Sequence, residues 1–201
     1  MTNPTAEPTL WERSRQIAVR EILDTAIRLF EEQGYDNTTV AQIAREAGIS
    51  QRSLFRYFGT KEDLVCGDQD ALGELLRQTV DDQPVDVSAW DALRVGFLAI
   101  MTDNHTPDQV LRLSTLIFDT PSLHAGYVTK RLRWQANLVP VIERRLGIAV
   151  GSDQDPRARA IIATVFACVD AASVAWVRSG GRSDIAELYD RSLAAVTSGR
   201  S

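Results

Sequence analysis

The sequence predicts an all-α protein with a small N-terminal domain and a larger helical bundle behind it. Capping and stop residues divide the chain into helix-length segments, and no alternating apolar run between turn residues favours a strand. The 201 residues, 44% of them hydrophobic, are enough to bury a core without disulfides or metals. We expect about nine helices, in domains of residues 1–66 and 67–201.

A long first helix is expected from about Thr9 to Gln33. Apolar residues recur there at helical spacing, and Gly34 can end the helix with a left-handed cap. Two very short helices follow. Thr39 and Gln42 have the spacing of a capping box for a helix over about 40–47. Ser50 can cap a second helix over about 51–57.

The remaining helices are placed by the same signals. Thr60 with Asp63 opens a helix that should reach about Val80. Five further helices are expected after candidate caps at Ser88, Thr106, Thr120, Asp155 and Ser183. Pro140 should kink the helix that contains it without ending that helix.

The two short helices have the spacing of a helix-turn-helix. Ala44 lies four residues before Gly48, and Leu54 follows six residues after that glycine. A small residue lets the second helix cross closely, and glycine permits a turn that a β-carbon would penalise. Ile49, Leu54 and Phe58 should hold the second helix on the first. A helical hairpin in an unrelated bundle is the alternative.

Three stretches of this region, residues 39–50, 54–58 and 61–64, resemble the signature of the TetR family of bacterial regulators. The resemblance covers about the first third of the chain. It implies a homodimer that binds double-stranded operator DNA through the helix-turn-helix and a small molecule through the C-terminal domain. It further implies a repressor that an effector releases from a palindromic operator.

The resemblance also implies roles for single residues of the DNA-binding domain. Gln51 and Arg52 would face bases, and Phe55 would pack against a sugar or a base methyl. The phosphate contacts would come from Thr39, Ser53, Tyr57 and Lys61. Arg56 also points outward on the helical spacing and can donate to bases or phosphates. Spacing alone leaves open that Phe55 and Tyr57 are core aromatics.

The net charge of −5 argues weakly against nucleic acid, but basic residues are placed where one duplex could meet them. They lie at the start of the first helix, on the recognition helix and after it: Arg13, Arg15, Arg20, Arg52, Arg56 and Lys61. The domain is therefore expected to be basic locally, and its DNA affinity should depend strongly on salt.

Alanines recur along the segment 158–177, where small side chains allow close helix approach. By the family resemblance, this helix and the last one, near residues 185–196, would pair with their copies across a two-fold axis. The alternative is packing within one chain only. A dimer is also what two operator half-sites require.

Bulky apolar residues of the C-terminal domain could line a cavity for an apolar effector, although such residues are more often plain core. The candidates are Phe97, Met101, Leu113, Leu116, Ile117, Trp134, Leu138 and Phe166. Asp170 joins them because it lies in an otherwise apolar run and needs a partner there. That partner could be a ligand donor, Arg131, Arg133 or water.

Other classes of function find little support. No cofactor motif, catalytic triad motif or metal-ligand spacing is present, so we expect neither an enzyme nor a metal site. We also expect a cytoplasmic protein without a membrane span, since no stretch approaches the run of about 20 apolar residues that a span needs. A DNA-binding dimer without an inducer stays an alternative to the regulated repressor.

Overall fold

The structure is a computed structural model and describes residues 9–101, 107–152 and 154–197. These residues form ten helices and no strand, which confirms the all-α class. In chain order the helices are α1 (Leu10–Gln33), α2 (Val40–Glu46), α3 (Gln51–Phe58), α4 (Asp63–Cys66), α5 (Gln69–Asp81), α6 (Ala89–Met101), α7 (Pro107–Asp119), α8 (Pro121–Arg145), α9 (Arg157–Arg178) and α10 (Ile185–Thr197). The chain divides into two compact units, residues 1–67 and 68–201.

The first unit holds α1 to α4, and its helices begin and end at the signals read from the sequence. Gly34 follows α1 with a φ of +85°, as a left-handed cap requires. The side chains of Thr39 and Gln42 cap each other's backbone amides at the start of α2. Ser50 accepts a hydrogen bond from the amide of Ser53 and so caps α3.

The expected long helix from Thr60 to Val80 is wrong, because it is two helices. The single-turn α4 ends at Cys66, and Gly67 then adopts a φ of +69° and a ψ of −178°, which is not helical. The carboxylate of Asp68 accepts a hydrogen bond from the amide of Ala71 and starts α5 anew. This break is why ten helices are found where about nine were expected.

The second unit is a bundle of α5 to α10 around one buried cluster. Its largest members come from five of the six helices and include Leu76, Leu93, Trp134, Phe166 and Tyr189. At the crossing of α5 and α8, a β-carbon on Gly73 would lie 2.5 Å from the indole of Trp134. Glycine therefore sets how closely these two helices approach.

Two further expectations about this unit can be checked. α8 continues through Pro140 to Arg145, so the proline does not end the helix. The cap assigned to Ser183 is wrong, because the neighbouring carboxylate of Asp184 accepts the amide hydrogen bonds of Ala186 and Glu187. The cap assigned to Thr106 lies outside the described residues.

The helix α9 has two different faces. Within the described residues it is the one helix long and apolar enough to cross a membrane by length and composition alone, so the expectation that no stretch approaches a span is wrong. Core helices of soluble proteins pass the same test. One face lies in the bundle core through residues such as Ile162, Val165 and Phe166. The opposite face exposes alanines at helical spacing: Ala160, Ala163, Ala167, Ala171 and Ala175.

Candidate nucleic-acid interface

The turn between α2 and α3 fixes the orientation of the second helix. Gly48 has a φ of +68°, and a β-carbon there would have no heavy atom within 4 Å, so the turn needs glycine for its backbone angle and not for space. The amide of Ile49 donates to the carbonyl of Ala44 at 2.9 Å, and the amide of Gly48 donates to that of Arg45 at 3.1 Å. These bonds form a Schellman motif, which ends α2 and starts the turn.

One side chain anchors α3 in the unit. Leu54 is fully buried, as is Ile43 of α2, and Ala44 is 2% exposed where the two helices pack. The small side chain of Ala44 is thus enclosed at the crossing, as the spacing indicated. Because α3 has only eight residues, fixing Leu54 determines which face of the helix points away from the unit.

The outward face of α3 carries the side chains expected to read DNA. Gln51, Arg52 and Arg56 are exposed, and Phe55 is 46% exposed. Phe55 is therefore not a core aromatic. Ser53 is half-buried, and its hydroxyl lies 3.0 Å from that of Ser50.

Two arginines flank the half-buried ring of Tyr57. The guanidinium carbons of Arg56 and Arg15 lie 5.6 Å and 6.0 Å from the ring centre. With Ser14 these three residues line an open groove of about 520 Å³ between the start of α1 and the end of α3. A groove with two cations and a phenol hydroxyl can hold a phosphate.

Thr39 and Lys61, the other two expected phosphate contacts, already make bonds within the unit. The hydroxyl of Thr39 lies 3.0 Å from the Gln42 Oε1 atom and serves the capping box. The Lys61 ammonium donates to the carbonyls of Tyr35 and Thr38, at 2.9 Å and 3.0 Å. Sequence reasoning missed these carbonyl partners, which lie 26 and 23 residues away along the chain.

The candidate effector residues of the second unit lie mostly in its core. Phe97, Trp134, Leu138 and Phe166 belong to the same buried cluster, and the rings of Phe97 and Phe166 meet edge to face at 4.9 Å. The remaining candidates are placed separately: Leu113 and Ile117 are buried, Leu116 is half-buried, and the side chain of Met101 lies outside the described residues.

Asp170 forms an ion pair with Arg131, whose guanidinium is almost completely buried. Of the partners considered for Asp170, Arg133 instead lies 3.7 Å from Asp70. Arg131 also donates to the carbonyl of Phe166 at 3.1 Å. Burial raises the pKa of Asp170, and the nearby positive charge of Arg131 partly opposes that rise. The pair joins α8 to α9 beside the aromatic cluster.

One small cavity lies between α6, α9 and α10. Phe97, Val169 and Tyr189 are among its lining residues, and its volume is about 10 Å³, which is about the room that one water molecule needs. Within the described residues, no cluster of three or more metal-ligating side chains is found.

Comparison with known proteins extends the resemblance over most of the chain. The family model described as bacterial regulatory proteins of the tetR family matches residues 22–66, and the model of the MftR C-terminal domain matches residues 87–201. The mycofactocin biosynthesis transcriptional regulator MftR of Mycobacterium tuberculosis is 30% identical over 167 residues, which are 83% of each chain.

Two further similarities also cover most of the chain. The HTH-type transcriptional regulator TcmR of Streptomyces glaucescens is 27% identical over 81% of this chain and 74% of its own. The crystal structure of FadR from Thermus thermophilus, a TetR-family repressor in complex with lauroyl-CoA, has a TM-score of 0.54. It is 19% identical and covers 91% of this chain and 95% of its own.

Proposed function

The chain belongs to the TetR family of bacterial regulatory proteins, and we propose that it is a cytoplasmic repressor that binds a palindromic operator as a homodimer. The observation that carries this proposal is the outward face of α3. Leu54 is fully buried and fixes the helix, whereas Gln51, Arg52 and Phe55 are exposed beside it. A short helix presented in this way can enter the major groove and reach base edges.

We assign different roles to the two ends of this surface. Gln51 and Arg52, at the start of α3, are proposed to read bases, with Phe55 against a sugar or a base methyl. Arg56 and Tyr57, at its end, are proposed to hold a phosphate in the groove that Arg15 also lines. Thr39 and Ser53 are proposed to contact phosphates near the starts of α2 and α3.

The operator can be found by selecting duplexes that the full chain retains from a random pool. We expect an enriched palindrome whose half-sites lie about 34 Å or more apart. On that site Arg52→Ala should cost about 1–3 kcal/mol of binding free energy and relax the sequence preference at one position. Arg182→Ala is the control, because Arg182 is exposed in the second unit. A pool without an enriched sequence would contradict the proposal.

Dimerisation is proposed to use the exposed alanine face of α9 together with α10. An apolar face of this length is unfavourable in water, and small side chains let two helices approach closely. The last turns of α10 also expose apolar groups, including Val196, which is 58% exposed. Light scattering should give twice the chain mass at concentrations where DNA is bound. A monomer that binds the palindrome would exclude this part of the proposal.

The effector is proposed to be an apolar, drug-sized or acyl-bearing compound that enters the second unit near its aromatic cluster. The core around Phe97, Trp134 and Phe166 is apolar and would have to open to admit such a compound, and the Arg131 to Asp170 ion pair supplies a polar edge. FadR from Thermus thermophilus, which has a similar fold, was crystallised in complex with lauroyl-CoA, an acyl compound.

Lauroyl-CoA is a suitable first probe for this idea. Titration calorimetry with and without the selected operator should give a weaker affinity when DNA is bound, since an effector acts only through its preference for one state. Leu116→Trp should lower the affinity for the effector and leave the affinity for DNA unchanged. Equal affinities with and without operator, for lauroyl-CoA and for a panel of apolar compounds, would favour a constitutive DNA-binding dimer.

A further inference from the structure

Lys61 is held in a site built by the turn between α1 and α2. Its ammonium donates to the carbonyls of Tyr35 and Thr38, at 2.9 Å and 3.0 Å. The ammonium also lies 4.0 Å from the centre of the Tyr35 ring, and the π electrons of an aromatic ring attract a cation above its face. Two of its three N–H groups are thereby used inside the protein.

The carbonyl of Thr38 matters because the next residue caps α2. Thr38 is 1% exposed, and its hydroxyl donates to the backbone oxygen of Gly34 or Leu29, at 2.8 Å and 3.3 Å. Thr39 then forms the capping box that begins α2. An ammonium bound to Thr38 therefore fixes the last residue before the helix-turn-helix.

The ring of Tyr35 is itself held in place. It packs on Phe30 of α1 with 5.1 Å between ring centres, and Phe30 is 2% exposed. Burial lowers the pKa of Lys61, which Asp36 partly opposes, so the amine is partly withdrawn from water. A phosphate could reach only the third N–H group without displacing these internal partners.

We propose that Lys61 is a positioning residue, which fixes the α1–α2 turn and through it the first turn of α2, and that it does not neutralise a phosphate. The proposal rests on the DNA binding proposed above. It departs from the role that the family resemblance implies for this residue. It makes Arg56, not Lys61, a source of the salt dependence.

Salt dependence separates the two roles. Each phosphate that a side chain neutralises adds about 0.9 to the slope of log affinity against log salt. We would measure binding to a 24-base-pair duplex of arbitrary sequence for the wild type, Lys61→Met and Arg56→Met. Arg56→Met should lower the slope by about one unit per protomer. Lys61→Met should leave it unchanged while affinity falls by a similar factor at every salt concentration.

Lys61→Arg is the second discriminating variant. It keeps the charge and would restore a simple phosphate contact, but a planar guanidinium does not reproduce an ammonium held by two carbonyls and a ring. We therefore expect its affinity to stay as low as that of Lys61→Met. A loss of slope in Lys61→Met equal to that in Arg56→Met, or full recovery in Lys61→Arg, would overturn the proposal.

A measurement on the wild-type chain covers the case in which these variants do not fold. The ammonium protons of Lys61 should be protected from exchange with water before DNA is added. The ¹⁵N chemical shift of this ammonium should be unchanged after DNA is added. Scalar coupling across a hydrogen bond to a duplex phosphorus atom would overturn the positioning role. Failure of the wild type to bind any duplex would instead refute the DNA-binding proposal itself.

Discussion

Replacing Gly73 by alanine should destabilise the second unit although alanine favours helices. The added β-carbon would lie 2.5 Å from both Cδ1 and Nε1 of Trp134, and 3.1 Å from Cε2. The indole is rigid and only 7% exposed, so the helices must move apart. Overpacking of this kind costs about 1–3 kcal/mol, and the helix preference returns about 1 kcal/mol. The difference between this cost and this gain is about 0–2 kcal/mol. Because the indole is rigid, we expect a net loss of stability of roughly 1–2 kcal/mol.

The indole can be removed to test this account. In a Trp134→Ala background the β-carbon has room, so Gly73→Ala should stabilise by about 0.5–1 kcal/mol. Urea unfolding followed by circular dichroism measures both values, at fixed protein concentration because the proposed dimerisation would affect stability. Gly96→Ala is the matched control. Its β-carbon would meet methyl groups of Leu76 and Val80 at 2.7 Å and not the indole, so its effect should be the same with and without Trp134. The same effect of Gly73→Ala in both backgrounds would refute the reasoning.

Three further changes test other features. The Tyr189 hydroxyl is buried without a hydrogen-bond partner among the described residues, so Tyr189→Phe should be neutral or stabilise by up to about 1 kcal/mol in urea unfolding; a clear loss would reveal a partner. Hydrogen bonds from Arg94 lower the folded pKa of Asp190, so the stability contributed by this carboxylate is present above its unfolded pKa and is lost as the pH falls through the folded value. Asp190→Asn should therefore be less stable than the wild type near pH 7, by less than about 1 kcal/mol for so exposed a pair, and equal to it below the folded pKa of Asp190; a difference that does not change with pH would exclude the ion pair as its cause. Ala167→Glu on the exposed face of α9 should give monomers in light scattering, and a persistent dimer would move the interface elsewhere.

Local signals in the sequence predicted most helix boundaries because the atoms that form them are close in the chain. The capping pairs at Thr39 and Ser50 reach only three residues ahead. The failures had local causes too. Gly67 and Asp68 supply a stop and a start signal inside a segment whose apolar residues continue at helical spacing, and Asp184 offers a second cap directly beside Ser183.

The candidate DNA surface was predictable as far as helical spacing determines it. Once Leu54 is assigned to the core, the outward placement of Gln51, Arg52 and Phe55 follows from the turn of the helix. The carbonyl partners of Lys61 could not be found in this way, because they lie more than 20 residues upstream. The effector residues pose another difficulty: burial of Trp134 or Phe166 is the same in a packed core as in a closed binding site.

The shortness of α2 and α3 limits how this surface can be engineered. They contain seven and eight residues, whereas isolated helices below about 12–15 residues are marginal in water. A synthetic peptide copied from the recognition helix would therefore be largely unstructured and would make a poor DNA ligand. Altered sequence specificity has to be introduced by replacing outward side chains within the intact four-helix unit, which supplies the helical conformation that the segment cannot maintain by itself.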